Sequence, residues 1–402
     1  MNRSFKRYLE LFIEKVMLLS GSVTSLAIIL IVVFLFKEGI GFFKSPEVEH
    51  GVSVVLNSAN SITRLAPDDM NAVFDGDVTN WKELGGNDVE IEVFHLNDVT
   101  NYVTEEELGA DMENLGPILT KIIGERPGMI AFYPTSVYVP SDSVKLLDTH
   151  GIDVREFFAG KRWFPTSQPA PLFGVMPLVL GTLWVSFFAI LIALPFGIAV
   201  AIYLAELADP RVRKTLKPII ELLSGIPSVV YGFFGLIVIV PFIRNFFGLD
   251  VGETALAGSI ILAIMALPTI ITVGEDAIRN VPTSIKENSL ALGATHWQTI
   301  WRVVLPYAIS GIVTAAVLGI GRAIGETMAV LMVTGNSAVI PHSLLQPVRT
   351  IPATIAAELG EAPQGGTHYQ ALFLLGIILF LITLVISVTV EFVSTKSHKQ
   401  HF

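Results

Sequence analysis

The sequence predicts an α-helical membrane protein with about six transmembrane helices and one external mixed α/β insert. Three observations lead there. Of the 402 residues 52% are hydrophobic and only 15% charged, which is more apolar surface than one or two soluble cores can hide. Six stretches reach the roughly 20 apolar residues that a bilayer core of about 30 Å requires. The acidity behind the net charge of −10 is also gathered in one segment, because residues 44–163 hold 21 acidic and nine basic side chains. A hydrated insert within a near-neutral membrane body accounts for that asymmetry. The charge pattern gives a nucleic-acid role no support. With no cysteine, the chain has no disulfide framework, thiolate nucleophile or cysteine-ligated zinc or iron–sulfur centre.

The apolar stretches lie at 16–36, 178–204, 219–243, 254–273, 307–334 and 371–392. The first is long for a signal peptide and no small-x-small cleavage pattern follows it before Lys37, so it is expected to stay as an anchor. This divides the chain into an N-terminal segment with the first helix (1–43), an insert (44–170) and a region with the other five helices (171–402). Within the insert, apolar or alternating runs at 52–56, 91–94 and 129–133 read as strands separated by Gly, Asp and Asn turns. Pro165, Pro169, Pro171 and Pro177 then mark a stiff return to the membrane. No repeat of 20–50 residues is evident.

Cationic flanks are retained on the cytoplasmic side of a membrane, which sets the expected orientation. With the N-terminus inside, the cytoplasmic pieces carry Arg3, Lys6, Arg7, Lys15, Arg211, Arg213, Lys214, Lys217, Arg279, Lys286, Arg302, Lys396 and Lys399, while the short external loops carry only Arg244 and Arg349. Both termini are therefore expected inside and the insert outside.

Two places in the membrane region carry more than hydropathy. Leu290, Ala294, Trp297, Trp301 and Val304 recur at three- and four-residue spacing, an apolar stripe expected on a short helix outside the membrane. It must bury itself, against a partner protein or on lipid as an interfacial helix. Arg322 and Glu326 fall inside an otherwise apolar span, where an ionisable side chain is costly and marks a functional site by default. At i,i+4 they share a helix face, and the pair would either leave part of the guanidinium fork for an oxyanion or merely seat the helix. Gly321 and Gly325 form a small-xxx-small pair suited to helix packing. There is no G-x-x-x-x-G-K-[ST] phosphate loop, and the eight histidines, including His296, His398 and His401, make no metal-ligand spacing. No cofactor or metal is expected.

The segment Glu287-Asn288-Ser289-Leu290-Ala291-Leu292-Gly293, followed by Val303-Val304-Leu305-Pro306, resembles the "EAA…G…LP" loop of ABC importer permeases, with Asn288 and Ser289 where that pattern has two alanines. Ser224 to Gly232 (SGIPSVVYG), Ala266 to Ile278, Gly319 to Val330 (GIGRAIGETMAV) and Thr350 to Ala362 match phosphate permeases in turn, the last favouring the PstC type over its PstA sister. The resemblance implies an ABC type I importer fold in a bacterial inner membrane. It further implies a second permease of the PstA type, two cytoplasmic ATP-binding subunits of the PstB type and an external phosphate-binding protein of the PstS type. ATP hydrolysis then belongs to a partner, and transport proceeds by alternating access. Residue by residue, it assigns ATPase coupling to Glu287, Leu290, Ala291, Gly293, Trp297 and Pro306. The substrate pathway falls to Ser228, Arg322, Glu326 and Thr327.

Leu65 to Gly86 (LAPDDM…VFDGDVTNWKELGG) and Gly128 to Tyr133 in the insert resemble stretches of periplasmic phosphate-binding proteins. Where those have an Arg and a Ser-Gly-Thr loop, this chain has His95-Leu96-Asn97-Asp98-Val99-Thr100-Asn101, and Asp98 would repel an anion. The insert is therefore expected to be a degenerate lobe or a spacer. Alternatives of other kinds are a membrane-anchored phosphate-status sensor or docking protein, against which stands the lack of a kinase-like cytoplasmic segment, and a permease for sulfate or molybdate.

Overall fold

The structure, a computed structural model, describes residues 3–45, 48, 51–109, 112–148 and 151–399. His401 lies outside them, as do the side chains of Arg3, Lys6, Arg7, Lys396, His398 and Lys399. The chain forms two compact units, one of residues 41–175 and one of residues 1–40 with 176–402.

The larger unit begins with α1 (Arg3–Ile40), whose apolar side chains are mostly exposed and which packs against the last helix of the chain through an edge-on Phe34–Phe373 pair with ring centroids 5.5 Å apart. A helix that is apolar all round and unburied by protein is suited to lipid.

The smaller unit is α/β. Its strands β1 (Val52–Asn57), β2 (Glu92–His95), β3 (Met129–Pro134) and β4 (Val144–Leu146) form one sheet in the order β2-β3-β1-β4. β1 is antiparallel to β3 and β4, with Val54 opposite Phe132, and β2 is parallel to β3. Helices α2 (Pro67–Phe74), α3 (Glu105–Leu108), α4 (Leu115–Glu125) and α5 (Val154–Ala159) complete it with a small ribbon of β5 (Trp163–Phe164) and β6 (Leu172–Phe173). Both faces of the main sheet are covered. Val55, Met129, Ala131 and Tyr133 pack with Leu119 and Ile123 on one side, while Val54, Leu56 and Ile130 pack with Met70 and Trp81 on the other. Double burial is why these strands read as apolar runs. Trp81 is fully buried and donates its indole N–H to the Gly128 carbonyl at 2.9 Å, and a Cβ at Gly128 would sit 2.0 Å from the Glu90 carbonyl oxygen, so only glycine fits there.

The rest of the larger unit runs through α6 (Met176–Ile202), α7 (Pro210–Ser224), α8 (Ser228–Phe234), α9 (Val240–Phe247), α10 (Ala255–Arg279), α11 (Thr283–Ala291), α12 (His296–Thr299), α13 (Leu305–Ile324), α14 (Met328–Val333), α15 (Ile351–Glu358) and α16 (Thr367–Lys399). Among the described residues six stretches are long and apolar enough to cross a membrane: Phe12–Lys44, Met176–Leu207, Ser228–Phe247, Ala255–Arg279, His296–Ile324 and Thr367–Val390. Three contain a wider π-helical turn, at Tyr203–Leu207, Gly235–Ile239 and Ile300–Val304. α10 is the central helix and packs most extensively against α6 and then α13. Small residues allow this: the positions of Gly197 on α6 and Gly319 on α13 both abut Ile270, with a Cβ at either 2.6–2.9 Å from it.

Three sequence expectations are corrected. The third span does not begin at residue 219. Residues 210–224 form the separate amphipathic helix α7, and Gly225-Ile226-Pro227 breaks the backbone before Ser228, because proline removes a donor and disfavours helix in the residue before it. The fifth span stops at Ile324 instead of residue 334, with Gly325 as its C-cap and α14 a separate short helix. The Gly321–Gly325 pair does not pack within this chain: a Cβ at Gly321 would meet nothing within 4 Å, and the close approach falls to Gly319.

Candidate functional site

Two sites emerge, one within the spans and one on the surface from the loop after the fourth span into the start of the fifth.

Arg322 sits in the last turn of α13, partly exposed, and its Nη1 donates to Thr269 Oγ1 of α10 at 3.3 Å. The Tyr231 hydroxyl of α8 donates to the Leu223 carbonyl at 2.8 Å. Glu326 is not the partner of Arg322. The helix ends at Ile324, so the two residues no longer stand one turn apart on one face, and among the described residues no carboxylate lies within 4.0 Å of the guanidinium. Glu326 instead accepts the Thr327 backbone N–H at 3.1 Å, and the Thr327 hydroxyl donates to the Gly325 carbonyl at 3.3 Å. Ser228 opens α8 three residues before Tyr231 and makes no hydrogen bond among the described residues. α8 packs closely on α14, where a Cβ at Gly232 would come within 2.6 Å of Met332 Sδ. Ser228 and Thr327 thus sit on neighbouring short elements, whereas Arg322 and Thr269 touch directly. Thr269 was not singled out from the sequence; a hydroxyl after a mid-span proline is a weak signal by itself.

The surface site is a hook. α11 stops at Leu292, Gly293 turns the chain with φ +87°, and α12 restarts at a reciprocal cap in which the Gln298 N–H donates to Thr295 Oγ1 and the Thr295 N–H to Gln298 Oε1. A hydroxyl bond of 3.0 Å between Ser289 and Thr299 ties the two arms. The apolar stripe expected on one helix is therefore split. Thr299, Ile300 and Val304 turn inward, while Leu290, Leu292 (90% exposed), Trp297 (57%) and Trp301 (54%) stay outside, the indoles edge to face with centroids 5.8 Å apart. Glu287, Ala291 and Gly293 are exposed beside them, and Pro306 begins α13 where a missing N–H is harmless. An exposed aromatic and aliphatic cluster of this kind is a surface for a partner protein or for lipid to cover.

Buried ion pairs brace the hook, and the sequence reading missed them. Lys286 of α11 pairs with Glu206 in the π-turn after α6. Glu275, on α10 and 1% exposed, meets Arg213 Nη2 at 2.7 Å, Lys217 Nζ at 3.2 Å and Arg279 Nη1 at 3.9 Å, so α7 is tied to α10. Burial acts to lower the Lys217 pKa, but its bonds to Glu275 and Asp276 outweigh that and hold it above the ordinary lysine value. The signal was available: Glu275 with Arg279 at i,i+4 at the end of an apolar helix, and Arg213 and Lys217 likewise spaced i,i+4.

A bundle of six helices long and apolar enough to cross a membrane, with an exposed hook leading into the fifth, is the build of an integral membrane protein. Residues 193–398 match the sequence profile of the binding-protein-dependent transport system inner membrane component family, and the chain belongs to that family. It is 41% identical over 247 residues, 61% of this chain and 80% of the other, to a Bacillus subtilis (strain 168) protein named "Probable ABC transporter permease protein YqgH". It is 38% identical over 251 residues, 58% of this chain and 76% of the other, to the phosphate transport system permease protein PstC of Xylella fastidiosa. Among solved structures, an inward-facing MetNI methionine ABC transporter chain aligns with a TM-score of 0.44 and 21% identity, covering 55% of this chain and 94% of that one. The protein is a multi-pass inner-membrane permease of an ABC importer.

Proposed function

We propose that this chain is the PstC-type subunit of an ATP-driven phosphate importer, forming the pathway with a PstA-type permease and receiving phosphate from an external PstS-type binding protein. Of two PstB-type ATPases, one holds the hook at Glu287, Leu290, Ala291, Gly293 and Trp297, with Pro306 in the first turn of α13. Both chain ends and the hook face the cytoplasm, and the unit of residues 41–175 faces outward as a lobe that does not bind phosphate. ATP-driven closure of the ATPase pair moves the hook and rocks the helices around Arg322, opening the pathway outward.

The observation that carries the substrate reading is Arg322. A guanidinium in the last turn of a membrane-crossing helix, without a carboxylate partner among the described residues, is a charge that an arriving oxyanion would neutralise, and its fork suits phosphate. Its detachment from Glu326 favours this reading over that of an internal Arg322–Glu326 salt bridge. The PstC relatives favour phosphate among oxyanions.

The test is ATP-dependent uptake of radiolabelled phosphate by the four-component complex in proteoliposomes, with sulfate and molybdate as competitors. Arg322→Lys keeps the charge and loses the fork, so uptake should fall about tenfold, and Arg322→Ala further, from the loss of a charged hydrogen-bond donor. Adding Glu326→Ala to Arg322→Ala should restore nothing. Recovery of uptake in the double variant would return Arg322 to a structural role, and stronger competition by sulfate than by unlabelled phosphate would reassign the substrate.

A further inference from the structure

Thr269 stands out by what its hydroxyl does not do. Four buried hydroxyls of the membrane unit donate back to the carbonyl four residues earlier: Thr182 to Leu178, Ser259 to Ala255, Thr334 to Val330 and Thr354 to Thr350, all at 2.7–2.9 Å. Thr269 makes no such bond among the described residues, and its side chain's one hydrogen bond among them is with Arg322 Nη1. A guanidinium carries donors only, so in that contact the hydroxyl oxygen accepts and its own hydrogen is left without a protein acceptor. Thr269 is partly exposed, although its neighbours Pro268 and Ile270 are buried. Its helix and that of Arg322 are held at short distance where Gly319 meets Ile270, the residue next to Thr269. A hydroxyl donor and the remaining guanidinium donors therefore converge from two helices on one place.

We propose that Thr269 is a second oxyanion donor of the pathway, so that α10 and α13 together clamp a tetrahedral oxyanion, Arg322 supplying charge and fork and Thr269 one neutral hydrogen bond. This rests on the reading of Arg322 given above and adds the residue that completes its donor set. A tetrahedral anion presents oxygens to both helices at once, and its passage is tied to their separation. A movement that parts α10 from α13 releases it.

The experiment is phosphate uptake by the four-component complex in proteoliposomes, comparing Thr269→Val, Thr269→Ala and Thr269→Ser, with assembly verified by co-purification. Valine keeps the volume without the hydroxyl, and serine keeps the hydroxyl without the methyl. The clamp predicts that valine and alanine raise the KM or lower the rate by about tenfold, as for loss of one hydrogen bond to a charged group, while serine stays near wild type. Packing alone predicts the reverse order, with valine harmless and serine impaired, and that result would overturn the proposal. So would the absence of any further loss when Thr269→Val is added to Arg322→Lys, since Thr269 would then act only by orienting residue 322. A wild-type complex that imports no phosphate defeats the functional reading itself. Wild-type uptake that depends on Arg322 but is indifferent to Thr269 defeats this inference alone.

Discussion

Glu275 is the residue with the strongest electrostatic claim on the fold. Its carboxylate is almost wholly buried among Arg213, Lys217 and Arg279, and removing one partner of a buried ionic cluster strands the others without compensation. Glu275→Gln should therefore cost about 3 kcal/mol of stability, visible as a lowered melting temperature in detergent, and Arg213→Gln should cost less because that side chain is partly exposed. The Lys217 pKa is raised in the folded protein, so its contribution is complete below the unfolded lysine value of about 10.4 and is lost as pH rises through the folded value. The wild-type melting temperature should fall as pH rises above the ordinary lysine value of about 10.4, and Lys217→Gln should flatten that part of the profile; an unchanged slope would show that the lysine does not titrate with the cluster. Arg322 and Glu326 were legible as charges from composition alone. Their separation was not, because it depends on a helix ending at Gly325, a residue that a sequence reading places equally well inside a span.

At the scale of elements, the hook depends on a backbone conformation. Gly293 sits at φ +87° with open space around its missing side chain, so a substituent is strained by conformation and not by crowding. Gly293→Val should leave membrane insertion and subunit assembly intact and abolish ATP-dependent uptake. Gly293→Asn should retain much of it, because asparagine tolerates this region of φ. Normal uptake by the valine variant would show that the angle between α11 and α12 does not matter for coupling. Spans were readable because length and hydropathy suffice, and the strands at 52–56, 91–94 and 129–133 fall on β1, β2 and β3. The short strands β4, β5 and β6 were missed. Two or three residues give no periodicity, and their identity as strands comes from pairing with distant segments, Leu146 with Val55 and Trp163 with Phe173. The split of the apolar stripe was likewise hidden, since spacing records which residues are apolar and not which of them the chain itself covers.

At the scale of the molecule, the unit of residues 41–175 has its own sheet and two cores, which makes it testable alone. Expressed by itself it should give no heat with phosphate in calorimetry. It is one α/β unit, and Asp98 occupies a 3₁₀ turn, Leu96–Asn101, where the proposed resemblance to phosphate-binding proteins would put an anion-holding loop. A micromolar dissociation constant would overturn the degenerate-lobe reading.

The sequence by itself determined the membrane character, the six spans, the acidic insert and the family, because each is written in local composition or in motifs that lie contiguous along the chain. The tertiary structure decided which charges meet. Arg322 belongs with Thr269, 53 residues away, and Glu275 with Arg213, 62 residues away. Pairings at such separations are set by how closely small residues let α6, α10 and α13 approach and by where a glycine or proline stops a helix. Neither property is carried by a single segment, so only the packed bundle brings these groups within hydrogen-bonding distance.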